Sequence, residues 1–306
     1  MTKVNTESVV SRALYYVQGC STLILLIAGA YLIAGILVFA GWRIAGRDGW
    51  IEDFFRVPGA LLLVFFSGVG LYFSLRVWRA FDTGEPMRRA WQLITLSAAA
   101  HLTGTLLVQI FGAQSRLNPL TYAGEVRTLA PHWRNAGLVI DGTCRFAMLA
   151  AGLLLVLMIY RKAGFLGRLR ASDWAILALF GAYVVREAVD VVVRARSGKP
   201  FSAADIFNLP VDPLLWVLLS QALRLFRSVQ QMGFGWIGKC YGAFAAGIIL
   251  VLLGDVAIWA TNWGYLPWPW SAVGWYVWVP AAAAFAVAPA FQWEAMRSAE
   301  AIRPAL

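Results

Sequence analysis

The sequence predicts an all-α protein, a polytopic bundle of about eight membrane-spanning helices. Hydrophobic residues make up 60% of the 306 residues and charged residues only 14%, and the mean hydropathy is +0.67. Soluble domains are nearer to half apolar and a quarter charged. No long series of segments alternates with period two, as a membrane β-barrel would require. A chain of this composition is therefore expected to lie in a lipid bilayer as a single domain of packed helices, residues 1–306.

Eight apolar segments are long enough, or nearly so, to cross a bilayer, which takes about 20 residues of helix. The predicted spans are Cys20–Gly41, Val57–Leu75, Ala90–Phe111, Leu138–Tyr160, Trp174–Val193, Leu209–Phe226, Cys240–Ala260 and Ser271–Phe291. The sixth span is the shortest of them. The first span is too long for the apolar part of a cleavable signal peptide, and acidic Glu7 precedes it, so it is interpreted as a signal anchor.

Basic residues in alternate loops predict the orientation of the bundle. The loops after the second, fourth and sixth spans, with the adjoining helix ends, carry Arg76, Arg79, Arg88, Arg89, Arg161, Lys162, Arg168, Arg170, Arg224, Arg227 and Lys239. The positive-inside rule places these loops, and with them both termini, in the cytoplasm. We therefore expect a protein integral to a bacterial inner (plasma) membrane. Its net charge of +10 fits contact with anionic lipids at the inner face, and no nucleic-acid partner is expected.

A short motif recurs at the ends of the second and sixth spans. Leu75–Arg79 and Leu223–Arg227 both read Leu-Arg-aliphatic-aromatic-Arg, and the same offset lays the third span on the seventh. Four spans in each half would give a parallel repeat, with halves 1–165 and 166–306. Basic helix ends also recur under the positive-inside rule alone, so duplication and coincidence both stay open.

Polar side chains lie within five of the predicted spans, and most of them fall in one outer layer. With 1.5 Å of rise per residue, this layer contains the candidate ligand-binding residues Gln109, Asp141, Arg145, Arg186, Glu187, Asp190, Asp212 and Asp255. Charge inside a bilayer is costly unless it is paired or hydrated, so each of these residues marks a hypothetical functional site.

The spacing of these residues predicts ion pairs. Asp141 and Arg145 are four residues apart, as are Arg186 and Asp190, so each pair faces the other on a helix. Arg145 is also available as a partner for the acids of the fifth span. One interpretation is a salt-bridge network that fixes helix register, and the other is a hydrated pocket open to the outside. Paired arginines would favour a small anionic ligand that carries a carboxylate or a phosphate.

The residues exclude several chemistries. Retinal needs a lysine deep in the membrane, and the lysines lie at helix ends. Bis-histidine haem needs two facing histidines, but the chain has only His101 and His132, and the second lies in an outer loop. His101 is interpreted as a hydrogen-bonded packing residue. Cys20, Cys144 and Cys240 lack metal-site spacing, and hydrolase and ATPase motifs are missing. No catalytic residue, metal or cofactor is predicted.

These observations favour a non-enzymatic, outward-facing ligand-binding or sensory protein that acts with a protein partner in the membrane. Short basic inner loops and a final span that runs into a charged helix are loosely similar to bacterial membrane sensor regions. A structural or anchoring subunit of a larger complex is one alternative, and a small-solute transporter is another. A transporter would show interrupted helices, for which Pro280 and Pro289 are the deep candidates. The small residues of Gly242–Gly247 predict tight packing in the inner half of the seventh span.

Overall fold

The computed structural model describes residues 6–45, 54, 58–111, 131–198, 209–231, 233, 235–262, 264–267 and 270–302. These residues form eight helices and no strand, so the all-α prediction is confirmed. Arg116, Arg127, Trp263 and Trp268 are not among the described residues.

Four helices make up the first half of the chain, and two of them contain π-helical turns. α1 covers Thr6–Ala45, α2 covers Ala60–Ala80, and α3 covers Pro86–Leu106 and continues as a π-helical turn over Leu107–Phe111. α4 consists of Pro131–Val139, a π-helical turn over Ile140–Cys144, and Arg145–Lys162. The second half contains α5 (Ala171–Arg196), α6 (Val211–Gln231), α7 (Trp236–Asn262) and α8 (Ser271–Ile302).

Six of these helices, α1 to α4, α7 and α8, are long and apolar enough to cross a membrane. The chain is accordingly a multi-pass membrane protein, as the composition predicts. α5 and α6 have 26 and 21 residues and are long enough to span, but they are not among the six because they carry more polar and charged side chains.

The core of the bundle is a closed ring of six helices. Each helix packs on the next in the order α2, α3, α4, α6, α7, α8 and back to α2. α1 packs against α8, and α5 packs against α6. α8 is the most enclosed helix because it contacts α1, α2 and α7, and its run of buried alanines allows neighbours to approach closely.

Two glycine pairs bring neighbouring backbones of the ring into contact. A methyl group on Gly104 of α3 would lie 2.6 Å from Cβ of Asp141 and 2.7 Å from the carbonyl oxygen of Gly137 on α4. A methyl group on Gly274 of α8 would lie 2.6 Å from the carbonyl oxygen of Gly254 on α7. Only glycine fits at such positions, so these pairs set the spacing of the two helix pairs.

The small residues of Gly242–Gly247 are closely packed, as predicted, and they pack against aromatic rings. Methyl groups added to Gly242 and Gly247 would lie 3.1 Å from Phe226 and 3.2 Å from Phe285. A contact between backbones lies at Gly254, in the half of α7 that contains the polar residues.

Candidate functional site

The first polar group of the predicted layer is centred on Asp141, where α3 and α4 approach through Gly104. Oδ1 of Asp141 lies 2.6 Å from Nδ1 of His101 and 3.0 Å from a terminal nitrogen of Arg145. A carboxylate only accepts hydrogen bonds, so Nδ1 of the imidazole carries the hydrogen in this pair. The contact fixes both the orientation and the tautomer of His101, as carboxylates do for metal-binding and catalytic histidines.

Arg145 is held by two aromatic rings as well as by Asp141. Its guanidinium carbon lies 4.7 Å from the ring centre of Phe146 and 4.7 Å from that of Phe285 on α8, and the residue is 6% exposed. Cation–π contact stabilises a guanidinium most where it is desolvated. The predicted pair of Asp141 and Arg145 is confirmed. Arg145, which was also available to the acids of the fifth span, pairs with Asp141 instead, and Asp190 of that span pairs with Arg186.

A cavity of about 30 Å³ lies inside the ring beside this group. Its polar lining consists of Ser67, Ser74, Ser97, His101 and Arg145, and its apolar walls include Phe66, Phe244 and Phe285. His101 is 7% exposed, and its Nε2 atom is buried without a hydrogen-bond partner among the described residues. Buried polar atoms are rarely left unpaired in folded proteins. The Nε2 atom is therefore a buried nitrogen at this site that still lacks a hydrogen-bond partner in the described part of the chain.

Both helices depart from α-helical geometry next to Asp141. The π-helical turn Leu107–Phe111 follows Gly104 in α3, and the turn Ile140–Cys144 of α4 contains Asp141 itself. Single π-helical turns inside α-helices occur frequently at functional sites. The turn in α4 packs on the α-helical part of α3, and the turn in α3 packs on the segment Pro131–Val139 of α4, so the helix pair is interrupted close to the carboxylate.

A second group joins the carboxyls of Glu187, Asp212 and Asp255, which come from α5, α6 and α7. The hydroxyl of Tyr183 donates a hydrogen bond to Oδ2 of Asp212 at 3.0 Å. The carboxyls of Glu187 and Asp255 lie beside that of Asp212. A hydrogen bond between two carboxyls needs a proton on one of them, because an ionised carboxylate has none to donate. Three helices therefore meet where their carboxyls lie side by side.

A third group pairs Arg186 with Asp190 on α5 and ties both to α7 and the loop that follows it. A terminal nitrogen of Arg186 lies 3.0 Å from Oδ1 of Asp190, which confirms the predicted ion pair. Trp259 donates to the other oxygen of Asp190 at 3.2 Å, and Arg186 donates to the hydroxyl of Tyr265 at 2.9 Å. The Arg186 side chain is 47% exposed while that of Asp190 is 4% exposed, so this group faces the surface.

The eight predicted residues therefore do not form one continuous layer. Asp141 and Arg145 lie inside the ring, whereas the residues of the second and third groups lie where α5, α6 and α7 meet. Gln109 is half-buried in the π-helical turn of α3 and makes no hydrogen bond to the other seven within the described part of the chain.

His101 is the residue that the sequence analysis missed as part of the site. Its partner Asp141 is 40 residues away in the chain, so no local spacing links them. One signal was present in the sequence. His101 comes three residues before Gly104, and Asp141 comes four residues after Gly137, so a contact between these two glycines brings the imidazole and the carboxylate together.

No protein-family model, curated protein or solved structure matches this chain. Within the described residues, no group of three or more histidine, cysteine or acidic side chains is placed to hold a metal ion.

Proposed function

We propose that this chain is a non-enzymatic membrane protein that binds a small anionic ligand inside the helix ring, as a receptor or sensory component acting with a protein partner. The observation that carries the proposal is the cavity beside His101. His101 lines this cavity, and its Nε2 atom is buried without a partner among the described residues. A buried, apolar-walled cavity on which a few polar groups converge is the default location for a ligand.

Arg145 supplies the preference for an anion. A guanidinium has five N–H donors, and the contact with Asp141 uses one terminal nitrogen. The same side chain lines the cavity and is held in place by Phe146 and Phe285. A donor group that is already fixed loses little entropy when a ligand binds. Further N–H donors directed at the cavity would suit a carboxylate or another small anion.

For the membrane arrangement, we propose eight spans with both termini in the cytoplasm of a bacterial cell. α5 supports this count because its large apolar side chains are exposed: Leu179 is 68%, Val185 is 65% and Val193 is 54% exposed. Such a surface is stable against lipid or against another protein, but not against water. The basic residues of alternate loops support the orientation, and the exposed face of α5 is where a partner helix would pack.

The ring also supports an internal repeat, in which α6, α7 and α8 repeat the arrangement of α2, α3 and α4. In each unit the first helix packs on the second, the second on the third, and the third on the first helix of the other unit. A glycine pair joins the second and third helices in both units, at Gly104 and Gly137 and at Gly254 and Gly274. α1 and α5 depart from the pattern, because α1 packs on the third helix of the other unit and α5 packs on the first helix of its own unit.

A transporter is the second candidate function. The π-helical turns beside Asp141 interrupt two helices of the ring, whereas α8 stays continuous through Pro280 and Pro289. Interrupted helices at a central site are typical of secondary transporters, in which the two repeats rock about the bound solute. Transport of the bound anion into sealed vesicles would favour this function over a receptor.

Thermal unfolding of the purified protein in detergent tests the proposal. The probes are chloride, nitrate, formate, acetate, phosphate and an anionic phospholipid, so that free anions and lipid headgroups are separated. An anion at about 100-fold excess over its Kd should add about 2.7 kcal/mol of stability. Arg145→Ala should abolish the shift. Arg186→Ala is the matched control, since it removes the other arginine of an i,i+4 pair and should leave the shift unchanged.

The opposite pattern would overturn the assignment. A shift that survives Arg145→Ala and disappears with Arg186→Ala would move the site to the exposed third group. A native protein that no probe stabilises would favour the structural or anchoring subunit, in which the polar groups fix helix register.

A further inference from the structure

Among the described residues, the charges around the cavity leave no counter-charge for an incoming anion. Asp141 and Arg145 form an ion pair and cancel. The other side chains that line the cavity from α2, α7 and α8, such as Ser67, Phe244 and Phe285, are uncharged. An added anion would thus leave a net negative charge at a buried place within the bundle. Uncompensated charge of this kind costs several kcal/mol or more.

His101 is positioned to supply the missing positive charge. Its Nδ1 atom already donates to Asp141 at 2.6 Å, its side chain lines the cavity, and its Nε2 atom is buried and unpaired within the described structure. A doubly protonated imidazole donates from both nitrogens. One N–H would remain on Asp141, and the other would point at a ligand beside Arg145.

On the basis of the proposed function, we infer that this site binds a small monovalent anion together with one proton, which is held on Nε2 of His101. The proton comes from the solvent and adds to the lone pair of Nε2, and no covalent bond is broken. Asp141, Arg145, the imidazolium and the anion then sum to zero charge. When the anion leaves, the proton returns to the solvent. Within the described part of the chain, the titratable or charged groups that face His101 are Asp141 and Arg145, both from α4.

The size of the cavity narrows the class of anion. One water needs at least about 10–15 Å³ of such volume, so a cavity of about 30 Å³ holds about two water-sized groups. A halide or formate fits this space, whereas a phosphate ester or a lipid headgroup does not. The hydroxyls of Ser74 and Ser97 can donate to the anion, whereas the hydroxyl of Ser67 already donates to the carbonyl oxygen of Leu63 at 2.6 Å.

Isothermal titration calorimetry with sodium chloride and sodium formate tests the inference. The titrations use the full chain in detergent at one pH. They are repeated in two buffers that differ in ionisation enthalpy, each balanced with gluconate. The difference in heat between the buffers should correspond to uptake of one proton per anion. The Kd should rise by about tenfold for each pH unit above the range in which the free site titrates. His101→Gln keeps a neutral hydrogen-bonding side chain and should bind weakly, without proton uptake and without pH dependence.

His132→Gln is the matched control, since it removes the other histidine of the chain and should keep full proton uptake. Anion binding by the native protein without proton uptake would overturn the inference and leave the proposed function standing. Proton uptake that persists in His101→Gln would move the proton to other groups, such as the carboxyls around Asp212. Absence of anion binding at every pH would instead remove the proposed function itself. If His101→Gln does not fold, the proton uptake and the pH dependence of the Kd, measured for the native protein and for His132→Gln, still test the inference.

Discussion

Asp173 in the first turn of α5 and Arg227 near the end of α6 are joined by two parallel hydrogen bonds. Nε of Arg227 donates to Oδ2 at 2.7 Å, and a terminal nitrogen donates to Oδ1 at 2.6 Å. Oδ2 also accepts the backbone N–H of Arg170 at 2.8 Å, which caps α5. The hydrogen bonds from Arg227 lower the pKa of the Asp173 carboxyl. One carboxylate thus fixes the start of α5 to the end of α6.

This geometry predicts a pH-dependent contribution to stability. A carboxyl whose pKa is lowered by folding stabilises the protein above its unfolded pKa, which is about 3.9 for aspartate. The contribution disappears as the pH falls through the folded value. Asp173→Asn should lower the free energy of unfolding by roughly 3 kcal/mol at neutral pH, because the arginine loses its buried partner. Thermal unfolding of both proteins from pH 7 to pH 3 should show this difference narrow below about pH 4.

Asp82→Asn is the control for that experiment, since Asp82 is exposed in the loop between α2 and α3. It should change the unfolding temperature little at any pH. A stability difference for Asp173→Asn that is unchanged at pH 3 would show that the ionised carboxylate is not what holds the two helices.

Hydropathy predicted the number of helices better than their ends. The predicted first span, Cys20–Gly41, lies within an α1 that covers Thr6–Ala45, and the predicted last span ends eleven residues before α8 does at Ile302. Apolar composition detects the part of a helix that lies in hydrocarbon. Helical hydrogen bonding continues beyond it into charged turns, which a hydropathy pattern cannot mark.

The candidate site was predictable only where its partners are close in sequence. The pairs of Asp141 with Arg145 and of Arg186 with Asp190 follow from i,i+4 geometry. The contact of Trp259 with Asp190 joins residues 69 positions apart and depends on which helix faces become neighbours. The π-helical turn that contains Asp141 has no sequence signature either. Local spacing therefore predicts the ion pairs, and tertiary packing decides which of them line a cavity.

Gly104→Ala should damage the site by overpacking. The new methyl group would meet Cβ and the backbone nitrogen of Asp141 at 2.6 and 2.7 Å, and backbone cannot move aside without separating α3 from α4. The cost should be about 1–3 kcal/mol or more, with loss of ligand stabilisation. Gly68→Ala is the matched control, because no atom lies within 4 Å of the added methyl group. It should be neutral or stabilising by up to about 1 kcal/mol. Equal unfolding temperatures for the two variants would contradict the close approach.

Tyr183→Phe should destabilise the junction of α5, α6 and α7. The substitution removes the hydroxyl that donates to Asp212 at 3.0 Å and leaves a carboxyl that is 6% exposed with one donor fewer. Loss of a hydrogen bond to such a group costs about 1.5–3 kcal/mol. Tyr72→Phe makes the same chemical change on a side chain that is 47% exposed, and should have little effect. Chemical unfolding of both variants measures the difference, and a loss no larger than that of Tyr72→Phe would show that the Tyr183 hydroxyl does not support the carboxyl group.

The orientation of the bundle can be measured by labelling single cysteines in intact bacterial cells. Cys20, Cys144 and Cys240 are first replaced by serine, because Cys144 is exposed and would react. Ser197 follows α5 and Arg168 precedes it, and both residues are exposed. The positive-inside rule places the basic loop at Arg168 in the cytoplasm and the other end of α5 outside. A membrane-impermeant maleimide should therefore label Ser197→Cys in intact cells, and label Arg168→Cys only after the cells are lysed.

Labelling of both positions from outside would show that α5 does not span the membrane. Labelling of Arg168→Cys alone would invert the bundle and place the third polar group on the cytoplasmic side.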